Sequence, residues 1–311
     1  MHYPALTLAA VLALAAPALA EPYKSVFPDR PPLQNATAQA FLEKLDYKRG
    51  KIALPGAGAS LTVPKDFYFL DSADTEKVLV DAWGNPPAGS KGKLGMVFPA
   101  KSTPLDDGIW GAVVTFDASG RVDDADAAAI DYDQLLASMK SDTAEESEQR
   151  KKAGYTSIAL IGWASPPFYD RTERKLHWAQ ELKFGDSEKN TLNYAVRALG
   201  REGVLQMNFI AGMDELPSIK AAIPDVMKMI AFDEGKRYAD WVPGDTEAAY
   251  GLAGLIGGAA AAKVAAKLGF LAIALAFLKK GWILLAVGGI AGLKWLFGRF
   301  RRKPLDPSAG G

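Results

Sequence analysis

A single histidine, His177, remains in the chain once the first 20 residues are set aside, and it is the first candidate for proton-transfer chemistry. It lies in the stretch KLHWAQEL, residues 175–182. If this stretch is a strand, Lys175 and Glu181 share the face of His177, whereas Trp178 and the other apolar side chains point to the core. A strand face with a lysine and a glutamate is typical of a solvated surface. We therefore expect His177 to be a surface residue without a catalytic role.

The other residue types exclude several kinds of catalytic and metal site. The chain has no cysteine, which excludes thiolate nucleophiles, disulfides and cysteine-ligated metals. One histidine cannot form a two-histidine metal site, and no serine lies in a nucleophile-elbow pattern. The sequence therefore predicts no catalytic residue, no metal site and no cofactor.

An aspartate-rich segment, RVDDADAAAIDYD at residues 121–133, is the second candidate site. Carboxylate clusters can bind Ca²⁺, but the spacing does not fit the calcium-loop pattern. The alternative is structural, with a turn followed by residues that cap a helix and favour its dipole. We favour this second interpretation for the five aspartates, which are Asp123, Asp124, Asp126, Asp131 and Asp133.

Two pairs of prolines lie near tryptophans: Pro86-Pro87 follows Trp83, and Pro166-Pro167 follows Trp163. A rigid surface of proline and aromatic rings can receive a peptide or a glycan. The same residues can instead be loop scaffolding in which the indole rings cover the ends of the sheet. We favour scaffolding.

The elements that would position these residues form one globular body, residues 45–235. The segments SIALIGWAS, KLHWAQELKF, NTLNYAVRALG and GVLQMNFIAG are separated by short turns, which favours antiparallel pairing. Residues 61–70 are predicted as another strand, and helices are predicted over 75–82, 131–153 and 215–231. Strands in runs with few helices indicate an α+β fold in which helices cover an antiparallel sheet.

The first 20 residues are predicted to be a signal peptide. They contain no charged side chain and end in Ala18-Leu19-Ala20, a small-x-small triplet directly before Glu21. Residues 21–44 would follow as an N-terminal extension. The alternative is a buried or anchoring N-terminal helix.

The other end is hydrophobic and is predicted to enter a membrane. Residues 279–298 are predicted to span it, because Gly281–Gly298 would form about 27 Å of helix. Residues 236–247 would be a linker, and 248–278 a Gly/Ala-rich helix associated with the bilayer at an unresolved depth. The basic residues of the tail 299–311 should stay cytoplasmic, and they are Arg299, Arg301, Arg302 and Lys303.

Glycines recur at helical spacing in these hydrophobic segments, as Gly254 with Gly258 and Gly288 with Gly292. Small residues four apart allow helices to approach closely in lipid, so these positions are candidates for helix packing and self-association.

Charge is unevenly distributed. The whole chain has 36 basic and 36 acidic side chains. Residues 21–247 nevertheless carry a net charge of about −8, because nine basic residues and one acidic residue lie after Glu247. A domain of this sign is unsuited to binding phosphate backbones, so nucleic acid is not an expected partner.

Several strings resemble the bacterial family known as domain of unknown function 2167, among them WGNPP (83–87), IGWASPPFYD (161–170), LNYAVRALGREGVL (192–205) and GKRYADWVPGDTEAAYGLAGLIGG (235–258). The similarity runs from about residue 45 to about residue 300. It implies a membrane-anchored envelope protein with a leader, one exported domain and a hydrophobic C-terminus. The arrangement of strands and helices is also similar to the α/β/α sandwich of the Mog1/PsbP type, and the family resemblance brings no catalytic residues.

We therefore expect a bacterial inner-membrane protein whose exported, periplasmic domain binds an envelope protein or another envelope component. The lipid bilayer is a further expected partner, and a homo-oligomer is possible. Two alternatives remain open. One is an envelope enzyme that acts on glycan through a pair of carboxylates. The other is a membrane assembly that oligomerises through its Gly/Ala helices. A fragment of residues 21–240 is expected to fold alone.

Overall fold

The structure is a computed structural model, and it describes residues 20–85, 87, 90–152 and 156–258. The described strands are β1 (Ala20–Glu21), β2 (Tyr47–Lys48), β3 (Gly50–Leu54), β4 (Ala59–Val63), β5 (Phe67–Asp71), β6 (Gly95–Pro99), β7 (Gly111–Asp117), β8 (Arg121–Asp123), β9 (Ile158–Asp170), β10 (Lys175–Phe184), β11 (Thr191–Leu199), β12 (Val204–Gly212), β13 (Ile230–Phe232) and β14 (Glu247–Gly251). The described α-helices are α1 (Tyr23–Val26), α2 (Ala36–Glu43), α3 (Ser72–Lys77), α4 (Tyr132–Lys152), α5 (Leu216–Met229) and α6 (Leu252–Gly257).

Nine of the strands form one antiparallel sheet in the order β1-β2-β5-β6-β7-β12-β11-β10-β9. Its last four strands in this order form a continuous run of neighbours, since short turns connect β9 to β10, β10 to β11 and β11 to β12. These are the four strands predicted from the segments between residues 157 and 212. The α+β class with an antiparallel sheet is confirmed.

Both faces of this sheet are covered. On one face, α5 and a small sheet of order β13-β4-β3 pack against the central strands. Leu61, Ile219 and Val226 from this layer are fully buried, as are Val196 and Met207 on the sheet. Burial of apolar surface on this scale is the main favourable term in folding.

Two separate apolar clusters cover the opposite face. One is built by α4, α6 and the parallel pair β8 and β14, and it encloses Trp178. The other lies at the far end of the sheet, where α1, α2 and the residues Val78 and Leu79 after α3 pack over Tyr47 and Tyr68. The sheet is therefore the middle layer of the domain, and a side chain on either face of a central strand meets other elements.

Two predicted elements differ from the structure. Residues 61–70 are not one strand, because Pro64 begins a turn in which the amide of Phe67 donates to the Pro64 carbonyl at 3.0 Å, and this turn separates β4 from β5. The helix expected over 75–82 begins earlier, at Ser72, and its second half, Val78–Ala82, is a π-helical turn. Asp71 caps it, since its side chain accepts from the amides of Ala73 and Asp74.

Residues 236–247, predicted as a linker, instead pack on the domain. Tyr238 is buried, and its hydroxyl donates to Asp124 at 3.0 Å. Arg201 donates to both carboxylate oxygens of Asp245, at 2.7 and 2.9 Å. The aromatic and charged side chains of this segment have specific partners on the domain: Asp124, which follows β8, and Arg201 in the turn between β11 and β12.

The segment 248–278, predicted as one helix, also starts differently. Ala248–Gly251 belong to β14, which pairs with β8, and the helix begins only at Leu252. Asp126 caps this helix, because its two carboxylate oxygens accept from the amides of Leu252 and Ala253 at 3.1 Å each. After Gly258, the segment lies outside the described residues.

Within the part of the chain that the structure describes, no helix combines the length and the apolar character needed to cross a membrane. The predicted signal peptide, except for Ala20, and the predicted span 279–298 lie outside that part.

Candidate functional site: a cavity around His177

A cavity of about 420 Å³ lies between the β9–β10 edge of the main sheet and helix α5. Its polar lining residues are Ser165, His177, Tyr194 and Lys220. Its apolar lining residues are Phe168, Ile223, Pro224 and Met227.

His177 is not the solvated surface residue that the alternation pattern predicted. The prediction failed because α5 covers the face that carries His177. On that face Ala179 is fully buried and Lys175 is 7% exposed, while His177 itself is half-buried. The other half of the prediction is confirmed, since Leu176 and Trp178 are buried in the core on the opposite face.

A bulge in β9 brings two lining residues together. Phe168 lies opposite His177, and Ser165 lies opposite Ala179, so β9 advances three residues while β10 advances two. The extra residue falls at Pro166-Pro167, where neither residue has an N–H for the ladder. Ser165 and Phe168 would point to opposite faces of a regular strand. The bulge allows both to line the cavity.

Helix α5 supplies the other wall through residues at helical spacing: Lys220, Ile223, Pro224 and Met227. These positions share one helix face because they are three, four and seven residues apart. Pro224 has no N–H, so it removes the backbone donor that would normally bond to the carbonyl of Lys220.

The polar centre of the cavity is a hydrogen bond of 2.9 Å between the Tyr194 hydroxyl and Nδ1 of His177. Burial lowers the pKa of His177 below its ordinary value of 6.5, and the positive charge of Lys220 lowers it further. Burial raises the pKa of Tyr194 to about 12, although a hydrogen bond with the Ser165 side chain opposes the rise. At neutral pH the imidazole is therefore neutral and the phenol is protonated.

The cavity carries positive but no negative charge among its described lining residues. Lys220 lies on α5 near the imidazole. Lys175 lies two residues before His177 on the same face of β10, and its ammonium group donates to the Met227 carbonyl at 2.6 Å, near the C-terminal end of α5. Lys175 is also 3.3 Å from Glu173. The site can donate hydrogen bonds beside an apolar wall, whereas a general acid–base pair of carboxylates is not present among these residues.

The aspartate-rich segment forms a different kind of cluster. The Asp124 carboxylate is buried, accepts from the hydroxyls of Tyr169 at 2.8 Å and Tyr238 at 3.0 Å, and pairs with Arg174. Burial alone would raise the pKa of Asp124, but these hydrogen bonds and the charge of Arg174 outweigh it, so the pKa lies below its ordinary value. Asp124 thus joins β8 to β9 and to the segment after β13.

The other aspartates mostly cap backbone groups, as the structural interpretation predicted. Asp123 accepts from the amide of Ala125, Asp126 caps α6, and Asp131 accepts from the amide of Gln134 at the start of α4. Among the described residues, no group of three or more histidine and acidic side chains is arranged to hold a metal ion.

The two tryptophans beside the proline pairs are tied into the fold. The indole N–H of Trp83 donates to the Pro104 carbonyl at 2.8 Å, and that of Trp163 donates to the Tyr132 carbonyl at 3.4 Å. These bonds support the scaffolding interpretation. Pro167 is buried in β9 next to the cavity.

The predicted helix-packing residues are only partly within the described chain. Gly254 lies in α6, and Gly258 follows that helix with a φ of 55°. Gly288, Gly292 and the basic residues of the tail, Arg299, Arg301, Arg302 and Lys303, lie outside the described residues.

Sequence reasoning did not identify Tyr194, Lys220 or Phe168 as partners of His177. They are distant in sequence and meet only through the strand order and the position of α5. One signal was available: a proline pair inside a strand pattern indicates a bulge, and bulges often redirect side chains at functional sites.

The sequence profile described as "Protein of unknown function (DUF2167)" matches residues 46–290. The chain belongs to this family. The match includes β9, β10, β11 and α5, and hence every residue that lines the cavity. A search of curated proteins gives no match.

Three solved structures are similar to this chain at 9% sequence identity. The solution structure of the cyanobacterial PsbP (CyanoP) from Synechocystis sp. PCC 6803 covers 58% of this chain and 91% of its own, with a TM-score of 0.33. A mutant of the protein Mog1 covers 61% and 98%, with a TM-score of 0.31. The Ran-binding protein Mog1p of Saccharomyces cerevisiae covers 61% and 96%, with a TM-score of 0.32. These are the two fold types that the resemblance suggested, but similarity at this level carries no argument about ligand or activity.

Proposed function

We propose that this protein is a membrane-tethered envelope protein whose exported domain is a binding module, and that the His177 cavity is its recognition site. One observation carries the proposal: a half-buried, neutral imidazole is held by Tyr194 inside a cavity with an apolar wall. Concave, mostly apolar sites with a few fixed polar groups are typical of ligand binding.

The lining residues support binding rather than group transfer. Among the described lining residues, Ser165 is the only serine or threonine that could act as a nucleophile. The side chain that bonds to Nδ1 of His177 is the Tyr194 phenol. Activation of a serine by a histidine requires a direct hydrogen bond between them. Ser165 is instead hydrogen-bonded with Tyr194, so the imidazole is arranged to orient a ligand.

The proposed location rests on the two ends of the sequence. The apolar leader ending at Ala20 is suited to export, and residues 279–298 are long and apolar enough to span a bilayer. The basic tail would then remain in the cytoplasm, and the acidic domain would face the periplasm of a bacterial inner membrane. The partner would be an envelope protein or another envelope component.

A pair of variants on β9 tests recognition. Phe168 and Ile161 are both exposed apolar side chains of this strand, 56% and 41% exposed, but only Phe168 lines the cavity. We would purify the full-length protein from its native host in mild detergent and identify the protein or small molecule that remains bound. A stoichiometric species is expected with the wild type and with Ile161→Ala, and its loss is expected with Phe168→Ala. If Phe168→Ala retains the same species, the cavity is not the recognition site.

Fusions test the location independently. Alkaline phosphatase is active only after export, so a fusion after Gly258 should be active. A fluorescent protein that folds only in the cytoplasm should be bright when fused after Gly311. A dark fusion at Gly311 together with an active phosphatase at the same position would contradict the proposed single span.

A further inference from the structure

We propose that the ligand of the His177 cavity is a small organic carboxylate with an aromatic or branched aliphatic body. This inference rests on the proposed binding function and adds the chemical class of the ligand. The geometry that carries it is a set of hydrogen-bond donors and cations at one side of the cavity and an apolar wall at the other.

We assign the position of the imidazole proton from the hydrogen bonds around Tyr194. A hydrogen bond with Ser165 opposes the rise in the Tyr194 pKa, as expected if Ser165 donates to the phenol oxygen. The phenol O–H is then free to donate to Nδ1 of His177, 2.9 Å away. A neutral imidazole that accepts at Nδ1 must carry its proton on Nε2. The imidazole therefore offers an N–H donor through Nε2.

The charges around the cavity favour an anion. Lys220 forms no ion pair with a carboxylate among the described residues. The acidic residues on or beside α5 and β10 have other partners: Asp225 pairs with Lys228 at 3.4 Å, Glu173 pairs with Lys175 at 3.3 Å, and Glu181 accepts from Asn190 at 2.5 Å. An ammonium group and an imidazole N–H beside one another complement a carboxylate, because hydrogen bonds to charged groups are the stronger ones.

The apolar wall sets the body of the ligand. Phe168 is 56% exposed and its ring centre lies 5.3 Å from that of His177, so it offers an aromatic face beside the donors. Ile223 and Met227 line the opposite wall. Aromatic rings prefer offset or edge contacts at this kind of distance.

Of the envelope partners proposed above, the size of the site and the prolines favour a small envelope component over a polypeptide. About 420 Å³ is near the lower end of the range for small-molecule sites. An extended peptide would add to the free edge of β9, but Pro166 and Pro167 remove two backbone donors there.

A pair of probes that differ only in charge tests the inference. Phenylacetate and its neutral amide, phenylacetamide, are titrated into the full-length protein in detergent at constant ionic strength, and the NMR signals of the His177 imidazole are followed. Phenylacetate is expected to give a saturable shift and to bind about tenfold more tightly than the amide, as the loss of one charge-assisted hydrogen bond would predict.

Two lysine variants on the same helix complete the test. Lys220→Met should reduce the affinity for phenylacetate to about that for the amide and leave the amide affinity unchanged. Lys228→Met, which lies on α5 outside the cavity, should change neither. Equal affinity for the two probes, no shift at His177, or an effect of Lys228→Met as large as that of Lys220→Met would overturn the inference.

The two proposals fail separately. If a retained species depends on Phe168 but phenylacetate does not bind at His177, the binding module stands and the carboxylate class is wrong. If phenylacetate binds through Lys220 but no retained species depends on Phe168, the ligand class stands and recognition of an envelope partner through this cavity is wrong.

Discussion

The imidazole of His177 lies nearly parallel to the ring of Tyr194, at an angle of 16° with the ring centres 5.9 Å apart. The two residues are not opposite one another in the ladder, because Tyr194 pairs with Ala179 and His177 pairs with Val196. They meet diagonally across neighbouring strands, a distance that aromatic side chains can bridge. The result is an imidazole whose orientation is set by both stacking and a hydrogen bond.

The pKa of His177 should respond to Lys220. Burial lowers this pKa first, and the Lys220 charge lowers it further, so Lys220→Met is expected to raise it towards the ordinary value. An NMR titration of the imidazole measures the change, with Lys228→Met as the control on the same helix. A pKa that is unchanged or lower in Lys220→Met would contradict this account of the electrostatics.

The same shift predicts a pH dependence of stability. The folded protein holds His177 neutral more strongly than the unfolded chain does, so the unfolded chain takes up a proton first as pH falls. The contribution of His177 is full above its ordinary pKa of 6.5 and is lost as pH falls below that value towards the folded pKa. His177→Gln should flatten the loss of unfolding free energy over this window. An unchanged slope would show that the histidine is not responsible.

Asp124 should be the most costly aspartate to replace in its segment. Asp124→Asn removes the charge that pairs with Arg174 and places an amide among three donors. We expect a loss of about 3 kcal/mol, near the lower end for a broken buried ion pair. The reason for the lower end is that the Arg174 side chain is 35% exposed. Urea unfolding followed by tryptophan fluorescence measures it. Asp123→Asn, a change at an exposed neighbour, should cost far less, and similar losses for both would argue against the buried network.

The folded domain should end near Gly258 rather than at residue 240. The side chains of Tyr250, Leu252 and Ile256 belong to the apolar cluster under α4, and Asp245 pairs with Arg201. A fragment of residues 21–258 should unfold cooperatively, whereas 21–240 should be much less stable or aggregate.

A point variant separates the loss of packing from the effect of chain length. Leu252 is fully buried, so Leu252→Ala in the full chain should cost about 2–5 kcal/mol. Equal stability of the two fragments, measured by thermal unfolding, would return the domain boundary to the position expected from sequence.

Two glycines at the ends of β12 give a matched pair. A Cβ on Gly203 would lie 2.1 Å from the backbone oxygen of Asp117, whereas a Cβ on Gly212 would have no neighbour within 4 Å. Gly203→Ala is therefore expected to destabilise the protein by about 1–3 kcal/mol, as overpacking does. Gly212→Ala should have little effect on the unfolding midpoint. If the two variants are equally stable, the close approach of β12 to β7 is not as described.

The strands around the site were predictable because each is bounded by a clear turn. Their faces were less predictable, since Lys175 and His177 look like solvent-facing residues in a strand with alternating polarity. In the structure the Lys175 ammonium bonds to the end of α5, so a charged side chain occupies a buried position. Alternation identifies faces only where one face of a sheet meets water.

The cavity itself could not be predicted in the same way. Its residues come from β9, β10, β11 and α5, and nothing in the sequence spacing of Ser165, Tyr194 and Lys220 connects them.

The C-terminal part of the domain was missed for another reason. Residues 236–247 were predicted as a linker, although Tyr238 and Trp241 are aromatic residues of a type that is often buried. Arg121 now lies over the rings of Tyr238 and Trp241, at 4.5 and 4.9 Å.

The capping of α6 by Asp126 limits how far the domain can move away from a membrane. The chain is fixed to the domain as far as Gly258, so if residues 279–298 cross a bilayer, only residues 259–278 can act as a tether. Twenty residues span about 30 Å as a helix and about 70 Å when fully extended. The His177 cavity would therefore stay close to the membrane surface. A short tether of this kind raises the effective concentration of a binding site for membrane-bound partners and excludes distant ones.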